Sequence, residues 1–157
     1  ITVKGVERTI AMLKDSFLDE ASIVVLGSVA GHFIFEEQSA SYHATRAALE
    51  GLNRYYAVTL GGRGIRCNCV LPTTVIKPEN KGFFTKDNEV RKMIEKITPL
   101  GRMGNAEDIA NMVEFLCSKK SSFITGQSFF VDGGISVRGQ ENIAREIFAL
   151  KHPNGKN

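Results

Sequence analysis

Two hydroxyl-bearing side chains and one cation stand at positions from which they can converge. Ser28 follows Gly27 at the end of an apolar run, and Tyr42 and Arg46 lie near the start of the next helical stretch. Because Tyr42 and Arg46 are four residues apart, they share one helix face, about 6 Å apart along the axis. Such groups can hydrogen-bond a polar ligand and stabilise charge on it. Taken alone, however, this spacing is more typical of a packing tyrosine with a solvated arginine beside it.

The hydrophobic pattern predicts alternating helices and strands that position these groups. Apolar residues at intervals of three and four predict helices. Runs of apolar and β-branched residues predict buried strands. The predicted helices cover about 1–18, 41–60, 87–97, a stretch after Asn105, and 139–151, and the strands cover 22–26, 65–71 and 128–131. This order favours an α/β fold with a parallel sheet of three main strands and right-handed crossover helices. Ligands of such sheets gather at the carboxyl ends of the strands, where Ser28 and Pro72-Thr73-Thr74 lie.

Composition is that of an ordinary globular protein, with 157 residues, 43% hydrophobic and 24% charged. We predict that residues 1–157 form a single domain, because we find no repeat and no linker. The net charge of +3 is small and the basic residues are scattered, which argues against nucleic-acid binding. No apolar run approaches the length of a membrane span, so a membrane partner is not expected and a cytoplasmic location is.

The cysteines and two other polar groups are expected to be structural. Cys67 and Cys69 alternate within a strand and are predicted to be buried thiols, since no histidine or second cysteine pair completes a zinc spacing. We therefore predict no metal. His32 and His43 are predicted at the surface. The run Asp132-Gly133-Gly134 is predicted to form a tight turn rather than a catalytic group.

Several strings in register carry a family likeness. The first is SIVVLGSVAG, which places Ser28 after a strand, and the second is SYHATRAALEG, which places Tyr42 and Arg46 at the head of a helix. The full set lies at 22–31, 41–51, 64–72, 99–104 with 107–110, and 124–127 with 131–134. Together they resemble the catalytic, C-terminal half of the short-chain dehydrogenases/reductases, over residues 1 to about 137.

The resemblance implies a Rossmann-like, doubly wound α/β fold and a role for each matching residue. Tyr42 would be the acid/base of a carbonyl/alcohol interconversion, and Ser28 would hydrogen-bond the substrate oxygen. Arg46, in the position of the family lysine, would contact the nicotinamide ribose and favour the phenolate. The cofactor would be NAD or NADP, bordered by Tyr42, Arg46 and the backbone of Pro72, Thr73 and Val75.

The same resemblance implies a lid and an assembly. Residues 73–98 would form the lid over a small-molecule carbonyl or alcohol substrate. The helices at 1–18 and 41–60 would pair across two-fold axes in a homodimer or homotetramer. The C-terminal helix at 139–151 is predicted to dock on a neighbouring subunit or over the lid.

Four positions depart from the family pattern. Arg46 replaces a lysine, Thr2 an asparagine, Thr73 the glycine of a Pro-Gly pair, and Lys77 a threonine. Glycine-rich phosphate-binding strings, which the family carries before its first helix in this region, do not occur in these residues. We therefore expect a piece of a longer protein that does not bind a dinucleotide tightly by itself.

Two alternatives to a dehydrogenase stay open. The first is a catalytically impaired member that binds or assembles, because two positions of the catalytic set, Arg46 and Thr2, are altered. The second is an enoyl-reductase relative. That branch spaces its tyrosine and lysine more widely, and Ser39 occupies the position of its tyrosine, which disfavours it.

Overall fold

The computed structural model describes residues 2–152, apart from the side chain of Thr2. The helices are α1 (Thr2–Leu13), α2 (Ala40–Thr59), α3 (Glu89–Ile97), α4 (Ala106–Cys117) and α5 (Gln140–Lys151). The strands are β1 (Ser22–Leu26), β2 (Arg66–Pro72), β3 (Val75–Ile76), β4 (Gly104–Asn105) and β5 (Ser128–Val131). Helix α1 stops at Leu13 rather than near residue 18, and one 3₁₀ turn, Lys14–Ser16, continues it.

The main sheet has three parallel strands in the order β1-β2-β5. In register, Leu26 of β1 pairs with Val70 of β2, and Pro72 of β2 pairs with Val131 of β5. Pro72 is thus the last residue of its strand, where its missing N–H does least harm to the ladder. The predicted α/β fold with crossover helices is confirmed, and the carboxyl ends of β1 and β2 lie side by side.

A second, very small sheet was not predicted. Val75 pairs with Gly104, and Ile76 pairs with Asn105, in parallel. Strands of two residues are too short to show a hydrophobic period, so no local pattern indicates them. Their pairing ties the chain just beyond β2 to the start of α4.

The hydrophobic core lies between α2 and the main sheet. Cys67 and Cys69 of β2 are fully buried on the face that meets this core, as predicted. Burial raises the pKa of the Cys67 thiol to about 11 and that of Cys69 to about 12. Because a thiol must lose its proton to bind a metal, both are poor ligands. Among the described residues, no group of three His, Cys, Asp or Glu side chains is placed to hold a metal ion.

Local capping and long-range packing both shape the ends of the helices. The Asn105 side chain accepts from the Asp108 N–H at 3.0 Å, and the Asp108 carboxylate accepts from the Asn105 N–H at 2.8 Å, a reciprocal pair that caps α4. Helix α5 packs on α3, where Lys96 pairs with Glu146 at 3.1 Å. Helix α5 therefore lies against α3, which is part of residues 73–98. None of the described helices combines the length and apolar character needed to cross a bilayer.

Candidate active site

A cleft of about 340 Å³ opens at the carboxyl ends of β1 and β2. We call it the Tyr42 cleft. All the predicted site residues line this one cavity: Ser28, Tyr42, Arg46, Pro72, Thr73 and Val75. Their convergence results from the parallel pairing of β1 with β2 and from the position of α2, which connects these strands.

Ser28 is placed by a close approach of backbone to side chain at Gly27. The Gly27 N–H donates to the Val70 carbonyl at 2.9 Å, which extends the strand ladder by one residue. A Cβ on Gly27 would lie 2.6 Å from Cδ2 of Leu71 and 3.0 Å from Sγ of Cys69, so only glycine fits without a shift of the core. The Ser28 hydroxyl then accepts from the Ala30 N–H at 3.1 Å. Because that bond uses a lone pair, the Ser28 proton stays available to a ligand.

The turn after Ser28 rests directly on helix α2. A Cβ on Gly31 would lie 3.1 Å from N of Ala47 and 3.2 Å from the carbonyl carbon of Arg46. This contact between backbones sets the distance between the Ser28 turn and the helix face that carries Tyr42 and Arg46. The site is therefore positioned by main-chain packing as well as by side chains.

Tyr42 and Arg46 form a stacked pair in the first turns of α2. The Ser39 hydroxyl caps the helix by accepting from the Tyr42 N–H at 3.2 Å. Cζ of Arg46 lies 4.8 Å from the centre of the Tyr42 ring, a cation–π distance. The positive charge is thus held against the phenol ring instead of extending into water.

Arg46 also carries a buried donor without a partner. Within residues 2–152, Nε of Arg46 is buried and makes no hydrogen bond. An unpaired buried donor costs about 1–3 kcal/mol, a cost that an acceptor oxygen brought into the cleft would remove. Ribose hydroxyls are such acceptors, and a guanidinium can donate to two at once. The residues present therefore fit the nicotinamide riboside end of a dinucleotide, whereas a glycine-rich cradle for its phosphates does not occur in the printed sequence.

The chain beyond β2 is held in a compact turn by a residue that the sequence analysis did not single out. Nδ2 of Asn80 donates to the Val75 carbonyl at 2.9 Å, and Oδ1 accepts from the Lys77 N–H at 2.8 Å. Asn80 and Lys77 both line the Tyr42 cleft. An asparagine three residues after Lys77 in a Pro-containing run is a turn signal that could have identified it.

The predicted surface position of His43 is wrong. The side chain is buried, with 8% of the residue exposed. Its Nδ1 lies 2.8 Å from the Ala30 carbonyl, and Nε2 lies 3.1 Å from the Phe35 carbonyl. The imidazole thus joins α2 to the chain between Ala30 and Phe35, which folds back over the helix start. His32 is half-exposed, and its Nε2 lies 2.8 Å from Oε1 of the buried Glu50.

The Asp132 turn is structural, as predicted. Oδ1 of Asp132 accepts from the Gly134 N–H at 2.9 Å, and Oδ2 accepts from the Ser136 N–H at 3.0 Å. Gly133 and Gly134 have φ values of 66° and 88°, which only glycine adopts readily. The Thr2 position lies in the first turn of α1, and its side chain is outside the described part of the structure.

Comparison with known proteins gives a consistent result along most of the chain. Residues 1–136 match the family described as enoyl-(acyl carrier protein) reductase. L-rhamnose 1-dehydrogenase (NAD(P)(+)) from a Sphingomonas species is 40% identical over 119 residues, covering 76% of this chain and 46% of that protein. A tropinone reductase homolog from Arabidopsis thaliana is 39% identical over 118 residues, covering 75% of this chain and 43% of that protein.

Solved structures show the same likeness in three dimensions. A 3-oxoacyl-[acyl-carrier protein] reductase from Brucella melitensis with bound NAD is 32% identical with a TM-score of 0.73, covering 86% of this chain and 49% of that one. A short chain dehydrogenase family protein from Francisella tularensis is 32% identical with a TM-score of 0.73, covering 83% of this chain and 57% of that one. This chain spans about half the length of these relatives. With its parallel Rossmann-like sheet and its match from residue 1 to 136, the chain belongs to the short-chain dehydrogenase/reductase family.

Proposed function

We propose that the protein containing this chain is an NAD(P)(H)-dependent oxidoreductase that interconverts a carbonyl and an alcohol, with Tyr42 as the acid/base. The observation that carries the proposal is the convergence of Ser28, Tyr42 and Arg46 on one cleft at the carboxyl ends of β1 and β2. The family membership supports nicotinamide-dependent oxidoreduction in general. Either NAD or NADP fits the residues of this chain.

In the proposed mechanism each side chain has one task. The Ser28 hydroxyl donates a hydrogen bond to the substrate carbonyl oxygen and holds it beside Tyr42. The Tyr42 hydroxyl gives its proton to that oxygen in reduction and takes it back in oxidation. The Arg46 guanidinium, 4.8 Å from the ring, stabilises the phenolate that remains. When bound, the nicotinamide supplies or accepts the hydride. Pro72, Thr73 and Val75 border the ring through their backbone groups.

Two further features of the whole protein follow as proposals. Tyr55 and Val58 on α2 are 60% and 81% exposed, which supports a homodimer or homotetramer built on α1 and α2. The free, buried thiols of Cys67 and Cys69 suit a reducing compartment, which supports a cytoplasmic location. Light scattering across micromolar concentrations would test the assembly, and a monomer would contradict it.

Enoyl reduction is a second candidate because the matching family carries that description. The structure gives Ser39 a different task from that of the tyrosine it replaces in that branch, since its hydroxyl caps α2. Without a phenol at that position, we favour Tyr42 and a carbonyl substrate. A protein that reduces a trans-2-enoyl thioester, and no ketone, would decide for the second candidate.

Full-length protein with and without Tyr42→Phe provides the direct test. Ketones and secondary alcohols are offered with NAD(H) and NADP(H), and turnover is followed by nicotinamide absorbance. We expect Tyr42→Phe to lower kcat by about 10²–10⁴-fold, since it removes the transferable proton. Cofactor Kd should change little, because the ring and Arg46 remain. Wild-type activity in Tyr42→Phe would contradict the assignment, and no turnover of any carbonyl compound or alcohol would favour a binding or assembly protein.

A further inference from the structure

An apolar pocket of about 400 Å³ adjoins the Tyr42 cleft. Its walls carry large hydrophobic side chains, and three residues, Val29, Phe35 and Thr73, line both cavities. The remaining hydrophobic lining is Phe33, Ile135 and Ile143. Because Val29 follows Ser28 directly, the pocket begins one residue from the proposed carbonyl-binding hydroxyl.

The charged groups that line this pocket are satisfied inside the protein. Asp132 accepts from two backbone N–H groups of its own turn. Arg138 donates to the carbonyls of Lys96 and Ile97, at 3.1 and 3.0 Å, and to Oε1 of Glu146 at 2.9 Å. Since these bonds commit both charges, the pocket offers a ligand mainly hydrocarbon surface, which favours an uncharged partner.

One wall of the pocket is fixed in place by the same contacts. Arg138 joins the last carbonyls of α3 to α5, and Glu146 of α5 also pairs with Lys96 of α3. Ile143 of α5 lies in the sequence between Arg138 and Glu146. Because both of these residues are bonded to α3, Ile143 is held in position as well. Because the residues of this wall are already ordered, they lose less conformational entropy when a ligand binds.

We propose that this apolar pocket binds an uncharged alkyl or aryl substituent of the substrate while the substrate carbonyl lies at Ser28 and Tyr42. This rests on the proposed function and names its substrate class as ketones or aldehydes, and the matching alcohols, with an apolar side. Charged substituents are disfavoured because the two charged groups of the pocket, Asp132 and Arg138, are already bonded, and polyhydroxylated ones because its walls are mainly hydrocarbon. Burial of one methylene corresponds to about a fourfold gain in kcat/KM.

A series of methyl ketones from butanone to 2-decanone, offered to the full-length protein, tests the proposal. We expect kcat/KM to rise about fourfold for each added methylene until the pocket is filled. In Ile143→Trp, an indole would occupy the pocket, and the ratio of kcat/KM for 2-decanone to that for butanone should fall at least tenfold. In the milder Ile143→Ala, the same ratio should fall about three- to tenfold. The matched control is Ala144→Trp, on the exposed face of the same helix, which should leave the ratio unchanged.

The possible failures are distinguishable. If small ketones are turned over and Tyr42→Phe abolishes this, but chain length has no effect or polyhydroxylated ketones are preferred, the pocket proposal is wrong and the proposed function stands. If no ketone is turned over, the proposed function fails, and calorimetric titration with 2-decanone decides the pocket. Binding that Ile143→Trp abolishes and Ala144→Trp keeps would support the pocket; absence of binding to the wild type would overturn it.

Discussion

Two polar clusters at the carboxyl edge of the main sheet use their hydrogen bonds differently. In the Asp132 turn after β5, both carboxylate oxygens accept from backbone N–H groups within four residues. In the Tyr42 cleft, Ser28 keeps a proton to donate and Nε of Arg46 has no partner among residues 2–152. Position at this edge therefore does not by itself leave a group free to bind a ligand. The group must also keep hydrogen-bonding capacity that the protein does not use.

Of the substitutions that compare the two clusters, Ser28→Ala should have the largest effect, because it removes an unused donor from the Tyr42 cleft. We expect kcat of the full-length protein to fall about 10²–10³-fold, the usual loss for one donor to a developing oxyanion. The free energy of unfolding should fall by about 1–3 kcal/mol, since the buried Ala30 N–H loses its acceptor. Steady-state kinetics measure the change in kcat, and urea denaturation measures the change in the free energy of unfolding. A large loss of stability with unchanged kcat would place Ser28 among the structural groups.

Gly27→Ala should disturb both the hydrophobic core and the Tyr42 cleft. The new Cβ would lie 2.6 Å from Cδ2 of Leu71, and overpacking of this kind costs about 1–3 kcal/mol of unfolding free energy. Displacement of Ser28 should also lower kcat, by up to about 10²-fold. The matched control is Gly51→Ala in α2, where a Cβ meets nothing within 4 Å and helix propensity should raise stability by about 0.5–1 kcal/mol. Equal effects of the two substitutions would contradict this.

Asp132→Asn should destabilise the Asp132 turn and have little effect on the reaction. Asparagine keeps one acceptor oxygen, so one of the two hydrogen bonds is lost and the other is no longer charge-assisted, which should lower the free energy of unfolding by about 1–3 kcal/mol. The change in kcat per folded molecule should be far smaller than that of Ser28→Ala. Urea denaturation measures the free energy of unfolding, and rates divided by the concentration of folded protein measure kcat. A 10²-fold loss of kcat at unchanged stability would make Asp132 part of the reaction.

Arg46→Lys tests the role of the cation in the Tyr42 cleft. A guanidinium cannot readily lose a proton, whereas a lysine ammonium can take part in a proton relay. We therefore expect kcat at neutral pH to rise about tenfold, and cofactor Kd to change less. Arg54→Lys, an exposed position on the same helix, is the control and should change neither value. A fall in kcat would show that the stack of Arg46 on Tyr42 is required.

Asp108→Asn should give the smallest effect and a defined pH dependence. Bidentate bonds from Arg102, with the Asn105 N–H, lower the pKa of Asp108 from its usual value to about 2. Because the folded pKa lies below the unfolded one, the stabilisation is present above about pH 4 and is lost as the pH falls toward 2. For so exposed a pair we expect about 1 kcal/mol. The difference in unfolding free energy between wild type and Asp108→Asn should be full at pH 6 and narrower at pH 3; a constant difference would contradict the ion-pair origin.

Features that depend on residues a few positions apart could be predicted from the amino-acid sequence alone. The periodic apolar residues defined the helices, the apolar runs defined β1, β2 and β5, and the Asn105–Asp108 cap and the Asp132 turn follow from side chains that bond their own neighbours. The order of these elements predicted a parallel sheet, and the strings around Ser28, Tyr42 and Arg46 indicated the family. Each of these features depends on neighbouring residues or on the order of elements along the chain, and both are visible in the sequence.

Features made by residues distant in the chain could not be predicted and were found only in the folded structure. The pairing of β3 with β4, the burial of His43 beneath the chain from Ala30 to Phe35, and the apolar pocket between the Ser28 turn and the C-terminal segment carry no periodic signal. The position of the Arg46 guanidinium over the Tyr42 ring, with Nε unpartnered among the described residues, is also a consequence of packing. The burial of a side chain, and the hydrogen bonds left free on it, depend on which segments pack against it. In the apolar pocket these segments are up to about a hundred residues apart in the chain, so no local pattern indicates their contact.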